Sequence, residues 1–172
     1  MRIYDGSPRQ DFEEVFRSIG GYLDRRGMRE VLLTEAPDGF IVQGMVIVGS
    51  GTWSDSMGQQ LKETLTFLDD DISRFMDEAI ARRGKRIAIP AAIPGYYEQA
   101  LRVLGKYMDE QKPRDVFFLE QDGNFILRLL MSSQAGTRHV LSEFTKEDVE
   151  RMISEGPARR RRDAAGSGSA AR

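Results

Sequence analysis

The chain has no cysteine among its 172 residues, which excludes disulfides, thiolate metal sites, iron–sulfur clusters and cysteine nucleophiles together. Histidine occurs once, as His139, so a zinc site of several histidines is excluded and any catalytic triad needing one must run through that residue. No stretch approaches the ~20 apolar residues of a membrane-spanning helix. The first residues carry Arg2, Asp5, Arg9 and Asp11, where a secretory signal needs an apolar run. The expectation is a soluble, cytoplasmic protein with no membrane span, no metal and no cofactor.

The composition, 40% hydrophobic and 30% charged with 9 Phe, is that of a chain that buries a core. Its net charge of −2 hides an asymmetry. Residues 158–172 hold five arginines against one aspartate, +4, whereas residues 1–157 hold 20 basic against 26 acidic residues, −6. A dedicated nucleic-acid-binding domain carries its basic residues on a folded face, so an acidic body argues against that class.

Sliding the sequence on itself by 85 residues aligns Glu13–Thr52 with Glu98–Thr137 without a gap and with 12 identities in 40 positions. Chance supplies about two or three. Among the identical pairs are Arg17/Arg102, Gly20/Gly105, Tyr22/Tyr107, Asp24/Asp109, Glu35/Glu120 and Phe40/Phe125. A shared amphipathic pattern does not match a glycine with a glycine or a tyrosine with a tyrosine. The expected fold is therefore α+β: an internally duplicated helix–strand–strand–helix unit, with an antiparallel sheet packed by helices about a pseudo-twofold. Residues 1–85 form the first repeat and 86–157 the second, the two making one compact domain, and 158–172 form a disordered basic tail.

Within a repeat the punctuation is specific. Ser7, Pro8 and Gln10 read as a capping box opening the first helix; Phe12, Val15, Phe16, Ile19 and Leu23 form its apolar stripe, and Gly27 closes it. Tyr97, Leu101, Leu104 and Met108 repeat the stripe. Gly20 and Gly105 fall in mid-helix, where glycine costs ~1 kcal/mol against alanine, and predict a close helix crossing. Strands are expected over Arg29–Glu35, Phe40–Val48, Arg114–Glu120 and Asn124–Met131, with hairpin turns at Pro37-Asp38 and Asp122-Gly123. Period two places Val31, Leu33, Phe40, Val42 and Val46 on one face. The other face also carries apolar residues, Leu32, Ile41, Met45 and Ile47 in one copy and Phe117, Leu119, Ile126 and Leu130 in the other. A sheet with one solvated face alternates more cleanly, so both faces are expected to be covered.

Leu61, Leu65, Leu68, Ile72, Phe75 and Ala79 are spaced 4, 3, 4, 3, 4, which predicts one long helix from about Met57 to Arg83. A core helix along both repeats is preferred to a coiled coil. The last helix has Phe144 before an N-cap Thr145, with Asp148 and Val149 completing a capping box and hydrophobic staple, and stops at Gly156-Pro157. The apolar segment 87–94, interrupted by Pro90 and Pro94, reads as extended.

Few residues point to chemistry. His139 has no nucleophile or orienting acid nearby in sequence and reads as an ordinary surface histidine. Asp69, Asp70 and Asp71 point in different directions on a helix and read as a solvated face. Glu35 and Glu120 recur at the hairpin shoulders; a pseudo-twofold could bring them together for acid–base work, although such residues more often end a strand in water. Gly49-Ser50-Gly51-Thr52 lacks the lysine and the setting of a phosphate loop.

The function expected is non-enzymatic: a binding or adaptor protein acting through a protein partner or through self-association as a homodimer. The candidate binding residues are Ile41, Met45, Ile47, Ile126 and Leu130 on the second sheet face and Ile87, Ile89 and Ile93 in the apolar segment. The alternative is a nucleic-acid-associated accessory protein using Arg159, Arg160, Arg161 and Arg162. Four arginines without an aromatic supply only a salt-sensitive attraction.

Overall fold

The computed structural model describes residues 11–48, 59–84, 95–134 and 136–155. The fold is α+β. In chain order it contains α1 (Phe12–Arg26), β1 (Met28–Ala36), β2 (Gly39–Val48), β3 (Gln59–Leu68), α2 (Asp69–Gly84) and α3 (Tyr96–Gln111). β4 (Asp115–Gln121), β5 (Asn124–Ser133), β6 (Gly136–Phe144) and a fourth helix α4 (146–155) follow. All six strands form one antiparallel sheet in the order β3-β2-β1-β4-β5-β6.

The core lies between this sheet and the helices. Phe12, Val15, Phe16, Ile19 and Leu23 of α1 and Tyr97, Leu101, Leu104 and Met108 of α3 are buried over Val31, Leu33, Phe40, Val42, Val116, Phe118, Phe125, Leu127 and Leu129. The helical stripe and the period-two alternation select these residues, and each such side chain contributes roughly 1.5–3 kcal/mol by leaving water. Gly27, at φ 69°, closes α1, its N–H donating to the Asp24 and Leu23 carbonyls. The Asp122-Gly123 turn has both residues at positive φ, the geometry a two-residue hairpin requires. At α4, the Asp148 N–H donates to Thr145 Oγ1 at 3.2 Å while the Thr145 N–H donates to Asp148 Oδ2 at 3.1 Å, the expected capping box, and Val149 is buried.

Three expectations are corrected. The run read as one helix from Met57 to Arg83 is, over the described residues, strand β3 followed by helix α2, so helix–strand–strand–helix becomes helix–three strands–helix. Leu61, Leu65 and Phe67 also satisfy period two with Lys62, Thr64 and Thr66 between them, and pairing with β2 along ten residues decides the ambiguity. Asp69–Asp71 are accordingly the first turn of a helix, where the dipole favours acids, rather than a mid-helix face. Helix α1 is capped by Asp11, whose side chain accepts from the Glu14 N–H at 2.9 Å; Ser7, Pro8 and Gln10 lie outside the described residues.

The second sheet face departs from expectation as well. Helices cover one face, but every described side chain on the other stays half-buried or exposed, with Ile41 at 39% and Leu141 at 62%. The expected cover is not found among the described residues. Among them, too, no helix is long and apolar enough to cross a membrane.

Candidate functional site

Polar and apolar groups gather at two places: the helix crossing with the carboxyl groups beneath it, and the second face of the sheet. At the crossing, Asp109 at the end of α3 accepts from the Phe12 and Glu13 N–H groups at 2.9 and 3.0 Å. Asp24 at the end of α1 accepts from the Tyr97 and Glu98 N–H groups at 3.0 and 2.8 Å. Each helix therefore caps the other's N-terminus with a carboxylate, satisfying orphan donors and the positive dipole end. Arg17 pairs with Glu98 at 3.2 Å, and Arg102 with Glu13 at 3.3 Å. A Cβ on Gly20 would run into the Tyr97 carbonyl, and one on Gly105 into that of Phe12. The two glycines mark the close crossing that their mid-helix positions predict.

Each of these contacts has a counterpart 85 residues along. Those further on match at 77. Tyr22 stacks edge-on to Phe67 and Tyr107 to Phe144, each with centroids 5.2 Å apart. The Leu68 N–H donates to Asp71, which also binds Arg74; the Thr145 N–H donates to Asp148, which also binds Arg151.

Glu35 and Glu120 lie on the helix-covered face of β1 and β4, where Leu33 pairs with Phe118. Each is two residues from that pair, in opposite directions along antiparallel strands, so about 13 Å of strand separates their positions. They form no acid–base dyad. Their surroundings differ sharply. Glu120 is buried and accepts from Tyr97 Oη at 2.6 Å, the Gly123 N–H at 2.9 Å and the Val31 N–H at 3.3 Å. Burial and this bond raise the Tyr97 phenol above its ordinary value. Glu35 has a buried Oε2 with no hydrogen-bond partner, and burial, with Asp115 and Asp69 adding repulsion, pushes its carboxyl up to about 7. Asp69 Oδ1 is likewise buried and unpartnered. Sequence singled out the two glutamates but missed Tyr97 as the partner of one; the visible signal is that Tyr97 aligns with Phe12, which has no hydroxyl.

On the open face, cross-strand registers join Thr66, Ile41, Thr34, Phe117, Arg128 and Leu141 into one row spanning all six strands. The next row includes Leu32, Leu119 and Ile126. Arg128 lies over the Phe117 ring, 5.0 Å from its centroid, so its stem and guanidinium cover part of the apolar centre. The structure thus brings together Ile41, Met45, Ile126 and Leu130 of the expected binding residues on one surface. The backbone of Ile47 is in β2. Ile87, Ile89, Ile93 and Arg159–Arg162 lie outside the described residues, as does the Gly49–Thr52 run. His139 is exposed on β6, paired in register with Leu130. Among the described residues no group of three or more His, Asp or Glu side chains is placed to hold a metal ion.

Compared with protein-family models, with curated proteins and with solved structures, the chain matches none.

Proposed function

We propose that the protein is a non-enzymatic binding or adaptor protein that engages a protein partner, or a second copy of itself, through the open face of its sheet. The supporting observation is the set of apolar side chains on that face, Ile41, Phe117 and Leu141 in one cross-strand row and Leu32, Leu119 and Ile126 in the next, left half-buried or exposed. Apolar surface gathered in this way is the usual mark of an interaction site. The two repeated glutamates are too far apart in register to act as an acid–base pair.

We also read the chain as an internal duplication of a helix–three strands–helix unit about a pseudo-twofold passing between Leu33 and Phe118. The 12 identities, the reciprocal caps and the reciprocal glycine contacts support this reading. A change of offset from 85 to 77 corresponds to eight extra residues between β2 and β3 in the first unit.

The function is tested by capture from the cell's own extract at physiological salt, run beside a sizing measurement, with the wild-type chain and with Ile126→Asp and Leu141→Asp. A discrete protein or a second copy held by the wild type and lost by both variants is expected. A monomer whose captured set is the same in all three chains overturns the reading. Nucleic acid that washes off with salt moves the weight to Arg159–Arg162.

A further inference from the structure

The glutamates at the two hairpin shoulders have corresponding places in the sheet and different hydrogen-bond partners. Tyr97, whose N–H is held by Asp24, reaches Glu120 with its hydroxyl at 2.6 Å. Phe12, whose N–H is held in the same way by Asp109, has no hydroxyl to offer Glu35. The first residue of the following helix also differs. In α4 it is Lys146, whose side chain lies near the Gly123 turn of the second hairpin. In α2 it is Asp69, whose N–H donates to the Asp38 carbonyl of the first hairpin turn at 3.0 Å and whose Oδ1 is buried without a partner. A largely buried carboxyl that has no hydroxyl donor and lies in the field of two aspartates favours its neutral form.

We propose that Glu35 is a proton-operated latch: protonated, it lets the first turn of α2 sit against the β1–β2 turn, and ionised, it drives that junction apart. Among the described residues, the charges acting on it come from two elements: Asp115 of β4 and Asp69 of α2 oppose its ionisation. The Val116 N–H favours the charged form. Phe40, its cross-strand neighbour in β2, and Phe12 of α1 are apolar. Ionisation therefore adds a negative charge in the field of Asp115 and of Asp69, whose own N–H donates to the hairpin turn. The movable element is the junction itself, whose hydrogen bond from Asp69 to Asp38 is a single reporter.

Amide hydrogen exchange on the full chain, corrected for the intrinsic effect of pH, tests this. If opening returns Glu35 to its ordinary carboxylate behaviour, opening at the Asp69 amide rises up to about tenfold from pH 6 to pH 8. The Val149 amide of α4, bonded to the Thr145 carbonyl, does not follow. Glu35→Gln, which mimics the protonated form, abolishes the rise. Phe12→Tyr, which supplies the missing hydroxyl, reduces it, and keeps the test decisive if Glu35→Gln does not fold. Equal rises at Asp69 in the wild type and the variants, or equal rises at Asp69 and Val149, overturn the proposal.

Discussion

Residues 12–48 with 59–84, and residues 96–134 with 136–155, follow the same element order of helix, three strands and helix, and they differ under the helix crossing. In the second region a buried glutamate accepts from a tyrosine hydroxyl and two backbone N–H groups, so its oxygens are held by fixed donors. In the first, the matching glutamate has a buried oxygen without a donor and two aspartates acting against it. One position ties its carboxyl group to three donors and the other leaves a buried carboxyl oxygen without one. The comparison teaches that a recurring residue need not recur in role: its neighbours set which of its atoms are satisfied.

The comparison can be broken most forcefully where the two regions are most alike. Gly20→Ala and Gly105→Ala each press a methyl group into a backbone carbonyl of the opposing helix, and backbone cannot rotate aside. Each is expected to cost on the order of 3 kcal/mol or to prevent folding, read by thermal or denaturant unfolding. A mild loss for one and a severe loss for the other would show that the crossing is not equally tight at its two ends. Asp24→Ala and Asp109→Ala each leave two N–H groups without their carboxylate, and an expected loss of about 2 kcal/mol apiece follows. Denaturant midpoints that differ widely between these two variants would break the likeness of the caps.

The next effects sharpen the contrast between the glutamates. Tyr97→Phe leaves Glu120 buried without its hydroxyl donor and is expected to lower stability by about 1–2 kcal/mol. Phe12→Tyr is expected to move stability the other way at pH 8, where Glu35 is ionised. The sign of the wild type's own pH dependence follows from the direction of the shift. Glu35 is raised above its ordinary value to about 7 in the folded chain, so its contribution is complete below about pH 4.5 and is lost as pH rises through about 7. Its magnitude is on the order of 1–2 kcal/mol once screening of a partly exposed carboxyl is allowed for. Melting curves of the wild type and Glu35→Gln between pH 5 and pH 8 should converge at low pH and separate at high pH; parallel curves would remove Glu35 as the source.

How much of this could be read without coordinates depends on the range of each signal. The α1 stripe, Gly27, the hairpin turns and the Thr145–Asp148 cap are local, and local chemistry states them directly. The glycines at 20 and 105 announce a crossing because a cost repeated at mid-helix needs a reason. Residues 59–68 fail because a leucine spacing of 4 and 3 coexists with a strand alternation, and only pairing with β2, a tertiary contact, chooses between them. The second sheet face, uncovered among the described residues, fails for a related reason: a sequence shows that apolar residues line both faces, but not whether anything lies over them. The contrast between Glu35 and Glu120 was present in the alignment of Phe12 with Tyr97, yet it acquires meaning only once a helix N-terminus is known to sit over a hairpin shoulder.

The smallest expected effect separates the surface from the scaffold. Leu141 is 62% exposed on β6, so Leu141→Ser removes little buried area and should change stability by no more than about 0.5 kcal/mol. Ile126, on the adjacent strand, is half-buried among neighbours, and Ile126→Ser should cost more. If the open face binds a partner, Leu141→Ser weakens binding while unfolding stays unchanged, which makes it the cleanest probe of function. A variant that unfolds more readily instead would mean that Leu141 is covered within the free chain, and the face would then belong to the core rather than to a partner.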